Sequence, residues 1–118
     1  MRSLGVAAAL MLIVVGLASA QGVSLASEGK TAEQVYKNIT ALKGTPANEL
    51  NQSMHLMKGA LGVDCTYCHI KDQFEKDDKP TKQMARKMIG IVRDSNAKLG
   101  SARVSCFTCH RGQARPPQ

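Results

Sequence analysis

The chain contains no tryptophan, and its 118 residues include only two tyrosines and two phenylalanines. A domain this small buries little apolar surface and usually needs a staple. With so few rings, the side chains alone make a thin core. Basic residues do not alternate with aromatics anywhere, so the net charge of +7 is poor grounds for nucleic-acid binding. Docking on an acidic protein partner suits it better. No segment alternates like a strand, no βαβ pattern is visible, and no low-complexity tract interrupts the chain.

Apolar residues are concentrated at the start. Arg2 is followed by an uncharged run from Leu4 to Leu17 and then by Ala18-Ser19-Ala20. A positive start, an apolar stretch and small residues before a cleavage point make a secretory signal peptide over residues 1–20. The alternative is an uncleaved helix tethering the protein. The uncharged stretch reaches Ser27, and about 20 apolar residues suffice to span, but Gln21, Gly22, Ser24 and Ser27 make its second half too polar. Residues 21–30 read as a flexible leader, 31–113 as the folded domain and 114–118, with Pro116-Pro117, as a loose tail. The expected location is the periplasm.

Three helices are expected. Val35, Ile39 and Leu42 recur at helical spacing from Thr31 to Leu42, with Gly44 beyond. Thr45-Pro46 reads as an N-cap and first helical residue. The stripe Leu50, Met54, Met57, Leu61 then runs to Gly62. Residues 70–80 form a charged loop with Phe74 as its anchor. Pro80 or Thr81 opens the third helix, whose stripe is Met84, Met88, Ile91 and Val92, with Gly100 as its end. The fold class is all-α with long connections.

All four cysteines fall in two identical patterns, Cys65-Thr66-Tyr67-Cys68-His69 and Cys106-Phe107-Thr108-Cys109-His110. Thiols three residues apart in a helical turn can reach the two vinyl groups on one edge of a porphyrin. The histidine that follows then offers a nitrogen to the iron. This spacing is the attachment signal of c-type haem. A helical segment bearing methionine precedes each motif, so a helix–turn–Cys-x-x-Cys-His unit occurs twice. The expected cofactors are two haem c groups, whose propionates would offset about four of the positive charges.

Other uses of four cysteines explain less. Two disulfides do not require equal spacing or a histidine after each pair. One structural zinc on four thiolates would bridge the 37 residues between Cys68 and Cys106 and leave both histidines idle. A thioredoxin-like pair needs the missing βαβ context.

Each iron has a sixth position. Methionine thioether raises the reduction potential relative to a second histidine, and beyond residue 30 the chain has Met54, Met57, Met84 and Met88. Met in a helical stripe is more often a gap-filler, but here two of the three stripes carry it and aromatics are scarce. The one histidine outside the motifs, His55, sits off the apolar stripe and reads as solvated or propionate-bonding.

Val35-Tyr36-Lys37-Asn38-Ile39, the run Met54 to Cys65, Ala85-Arg86-Lys87-Met88 and Val104 to Gly112 together resemble the cytochrome subunit of photosynthetic reaction centres. The resemblance covers roughly residues 35–113 and corresponds to one dihaem half of that family's tetrahaem subunit. It implies a small multihaem cytochrome c in which a helix along each haem supplies an axial methionine. By that resemblance Met54 is the sixth ligand of the first haem, beside His69. Met88 is the sixth ligand of the second, beside His110, with Met84 as the alternative. Two departures count. Only two haems are encoded, and no cysteine near residue 21 could carry a lipid anchor. The resulting expectation is a stand-alone one-electron carrier, not an enzyme, that serves acidic or membrane-bound redox partners. Its docking patch would be Lys71, Lys76, Lys79, Lys82 and Lys87, although interspersed acids make a solvated face a simpler reading. A dihaem peroxidase-like enzyme is the competing expectation.

Overall fold

The computed structural model describes residues 28–101 and 103–118. The expected signal peptide, and the expected leader as far as residue 27, lie outside the described residues. Among the described residues four α-helices follow in order: α1 (Ala32–Val35), α2 (Leu50–Leu61), α3 (Pro80–Leu99) and α4 (Cys106–His110). A 3-10 turn (Ala47–Glu49) leads into α2, and another covers Cys65–Tyr67. Among the described residues extended pairing is limited to two isolated bridges, Thr31 with Pro46 and Ile70 with Gln73.

The first helix stops well short of Leu42. Thr31 starts it, with its N–H donating to Gln34 Oε1 at 2.8 Å, but Tyr36 is already extended (φ −112°, ψ 152°). The rest is a loop closed at its base, where Ala32 N–H donates to Thr45 O (2.7 Å) and Ala47 N–H to Lys30 O (2.9 Å). Glu33 accepts the Gly44 N–H at 3.0 and 3.2 Å, and hydrogen bonds from the backbone of Glu33 and Gly44 hold its carboxyl below its ordinary pKa. Long-range bonds then replace the helical ones: Arg86 donates to Asn38 O (3.2 Å) and Arg93 to Ala41 O (2.5 Å). Tertiary contacts outweigh a weak local preference.

The later helix ends fall at their signals, but the start expected at Thr45-Pro46 does not, since α2 begins at Leu50. Pro46 is the extended residue before the 3-10 turn, one place later than the expected cap. Gly62 closes α2 in the left-handed region (φ 63°, ψ 35°). Pro80 occupies the first turn of α3, where its missing N–H costs nothing, and Gly100 ends that helix. Side chains pack sparsely. Among the described residues the buried apolar ones are Ala32, Ala47, Leu50 and Ala60, and no large side chain is fully buried.

α4 crosses the end of α2 at a backbone contact. Gly112 N–H donates to Ala60 O at 2.9 Å, and the Gly112 carbonyl lies where Gly62 would carry a Cβ. At its other end α4 is capped reciprocally. Ser105 N–H donates to Thr108 Oγ1 (2.9 Å), and Thr108 N–H donates to Ser105 Oγ (3.4 Å). The segment before it is clamped to α3 by Asn96, whose amide donates to Val104 O (2.9 Å) and accepts Val104 N–H (2.7 Å).

Candidate haem-binding sites

In the first motif the 3-10 turn is drawn by Cys68 N–H and His69 N–H, which both donate to Cys65 O (3.3 and 3.0 Å). The second motif is the whole of α4. Each turn places its two cysteines on neighbouring positions of one face, with the histidine just beyond. All four thiols are free, so disulfide pairing is not realised. Among the described residues no three His, Cys, Asp or Glu side chains converge on one point. That geometry cannot assemble a four-thiolate zinc site.

Both histidines are oriented by the same device. His69 Nδ1 lies 2.9 Å from Phe74 O, and His110 Nδ1 lies 3.0 Å from Gln113 O. A carbonyl only accepts, so each Nδ1 carries the proton and each Nε2 keeps its lone pair for a metal. Phe74, expected as the anchor of its loop, is half exposed and packs edge-on to His69 with ring centroids 5.5 Å apart.

An apolar cleft opens between α2, α3 and α4, with about 810 Å³ of empty space including its mouth. Cys106, Cys109 and His110 line one wall, Met84, Met88, Ile91 and Val92 of α3 another, and Met57 and Leu61 of α2 a third. Tyr67 and Cys68 reach it from the first motif. The expected stripe of α3 therefore faces the second motif as a unit. Both candidate ligands, Met88 and Met84, share the cleft with His110, and Met57 joins them. A smaller hollow of about 240 Å³ is lined by Cys65, Thr66, His69, Lys71 and Phe74. Met54 is half-buried on α2 and lines neither space. His55 is exposed, in keeping with its solvated reading. The donor set at each motif suits a flat, largely apolar ring held by two thioethers and one imidazole, and at the second motif the apolar walls of the cleft suit it as well.

The loop between the motifs is organised by Lys82, a residue that sequence reasoning assigned to a docking patch. It is buried instead. Its ammonium donates to Phe74 O (2.8 Å) and Lys76 O (2.6 Å) and pairs with Asp77 (3.1 Å). Arg86 holds the other oxygen of Asp77 at 2.8 Å. Arg86 first, then Asn38 and Lys82, keep the Asp77 carboxyl far below the usual carboxylate range. Lys79 is also engaged, donating to Thr66 O. Lys71, Lys76 and Lys87 remain exposed. Burial pushes the Cys68 thiol up, opposed by the Thr81 hydroxyl and the Lys79 charge. Asn96 was missed as well. An asparagine inside a helix is a weak helix former that seeks backbone partners, and that was the available signal.

An all-helical fold with two Cys-x-x-Cys-His turns opening on apolar clefts is the layout of a c-type cytochrome. The chain belongs to the photosynthetic reaction centre cytochrome c subunit family, whose model matches residues 15–118. Similar proteins include the photosynthetic reaction center cytochrome c subunit of Thermochromatium tepidum, 33% identical over 76% of this chain. Cytochrome c-554 of Chloroflexus aurantiacus is 37% identical over 62% of it, and the reaction center subunit of Rubrivivax gelatinosus is 32% identical over 74%. The chain spans only 24%, 20% and 31% of those relatives.

Proposed function

We propose that the chain is a dihaem electron carrier of the periplasm. Thioethers from Cys65 and Cys68 hold the first haem, and thioethers from Cys106 and Cys109 hold the second. His69 and Met54 ligate the first iron, and His110 and Met88 the second, with Met84 one turn from Met88 as the alternative. Such a haem supplies a one-electron change between ferric and ferrous iron. The protein's part is to attach the ring, orient the imidazole, and surround it with apolar side chains that set the potential. The observation that carries the reading is the pair of Nδ1–carbonyl bonds, which leave both Nε2 atoms free beside a Cys-x-x-Cys turn. Thr81 Oγ1 donates to Tyr67 O at 2.5 Å, tying α3 to the first motif at the edge of the second motif's cleft. That contact favours exchange of electrons between the two sites.

The test is the denatured mass of protein exported together with haem-maturation machinery. The expected mass is the chain from residue 21 with two haems, and the ferric form should take up cyanide slowly at both irons. A mass without haem would sink the carrier reading. Rapid cyanide binding at one iron would move it to the peroxidase-like alternative.

The partner is proposed to be an acidic, membrane-bound redox complex, in line with the family. With Lys82 and Lys79 occupied in the fold, the docking cations reduce to Lys71, Lys76 and Lys87. Reversing Lys71 and Lys76 to Glu should slow reduction by an acidic partner about tenfold at low salt, with the difference fading as ionic strength rises. An unchanged rate would leave these lysines as an ordinary solvated face. Among the described residues no helix is long and apolar enough to cross a membrane.

A further inference from the structure

Phe74 O accepts two hydrogen bonds of different kinds. One comes from His69 Nδ1 at 2.9 Å and the other from the Lys82 ammonium at 2.8 Å. The ammonium therefore stands one carbonyl away from the imidazole that faces the first cysteine pair. It cannot swing off, because its remaining donors are held by Lys76 O and Asp77 and its side chain is only 10% exposed. Lys82, Asp77 and Arg86 form one ion-paired cluster of two cations and one carboxylate, and two more cations stand at the first motif, Lys79 on Thr66 O and Lys71 in the hollow beside His69. The second site has no counterpart. His110 donates to Gln113 O, and among the described residues no ammonium shares that carbonyl.

Resting on the dihaem reading above, we propose that Lys82 is a positioning residue that raises the reduction potential of the first haem above that of the second. Two effects act in the same direction. The ammonium draws electron density from the Phe74 carbonyl, making it a weaker acceptor. The imidazole then gains less anionic character from its Nδ1–H bond and donates less to iron, which disfavours the ferric state. The fixed positive charge also repels the extra charge of ferric iron through a poorly screening interior. Asp77 offsets part of this charge, but Arg86 offsets Asp77 in turn, and a net positive charge remains on the cluster. The device makes the two sites unequal although their motifs match, so an electron on the pair rests at the first.

The test uses the full chain with both haems attached. Redox titration with each haem followed by its own proton NMR signals gives two potentials per variant. Lys82→Met and Lys82→Gln should each lower the first haem's redox equilibrium constant by about tenfold, close to 59 mV for one electron. The second haem should be nearly unmoved, and Lys82→Arg, which keeps the charge, should stay near the parent. Unchanged potentials, or equal shifts at both haems, would overturn the proposal. It would also be overturned if Lys82→Met and Lys82→Gln both lost the first haem while Lys82→Arg kept it, since the lysine would then be purely structural. A parent protein without two haems would instead sink the carrier reading beneath it.

Discussion

Replacing Cys106 and Cys109 together with alanine should leave one covalent haem and cost most of the stability of the fold. α4 has five residues, far too few to persist alone in water. Among the described residues the polypeptide's own core is four small or medium side chains. The main apolar surface lies instead along the open cleft, on Met57, Leu61, Met84, Met88, Ile91 and Val92. Fully burying a side chain of this class contributes about 1.5–3 kcal/mol. These residues are partly exposed, and covering them with a ring bonded in place should still be worth about 5 kcal/mol or more. Total stabilities of such domains are about 5–15 kcal/mol, so the double variant should melt at or near room temperature. The checks are denatured mass, for one haem in place of two, and thermal melting by circular dichroism. A variant with one haem and an unchanged melting point would show that the cleft is not where the second ring sits.

The second large effect is expected at Gly62. Its φ of 63° is a conformation that side chains with a Cβ adopt at a cost. A Cβ there would also overlap the Gly112 carbonyl oxygen and come within 3.0 Å of its carbon. Both partners are main chain, so no rotamer change relieves the clash. α2 and the segment after α4 would have to part, breaking the bond from Gly112 N–H to Ala60 O. Gly62→Ala should therefore destabilise by about 3 kcal/mol or more, a fall in Tm of more than about 10 °C for a domain of this size. Gly59 is the matched control. It lies within the same helix, and a Cβ there meets nothing within 4 Å, so Gly59→Ala should be neutral or stabilise by up to about 1 kcal/mol. Equal melting points for the two variants would refute the close-approach argument.

The helix ends at Pro80, Gly62 and Gly100 were legible because proline and glycine act through their own backbone limits, which need no neighbours. The stripe of α3 was legible because a 20-residue helix repeats its apolar period often enough to be seen. The segment from Tyr36 to Leu42 was not. Its apolar spacing matched a helix, but Arg86 and Arg93 on α3 take its carbonyls, and they lie about fifty residues away in sequence. The two attachment motifs could be read at sight, whereas the groups that orient them could not. The acceptors for His69 and His110 are backbone oxygens, and every residue has one. Lys82 looked like its exposed neighbours because nothing in its own identity says that three acceptors surround it. Met54 stood out through the family resemblance alone, and nothing in the sequence marked Met57, three residues on, as the α2 methionine that joins Met84 and Met88 in the second motif's cleft.

The shared cleft also bears on how such a chain could be copied or recombined. The walls around Cys106, Cys109 and His110 draw on α2, which precedes the first motif, and on Cys68 within it. Cut between the first motif and α3, the C-terminal half would lose Met57, Leu61, Tyr67 and Cys68 from its site, and the N-terminal half would lose the lysine that holds its histidine's acceptor. The doubled pattern in the sequence is thus not a pair of exchangeable modules. Any gene rearrangement that is to yield a finished site must carry both motifs together, as one heritable piece running from Thr31 to Gly112.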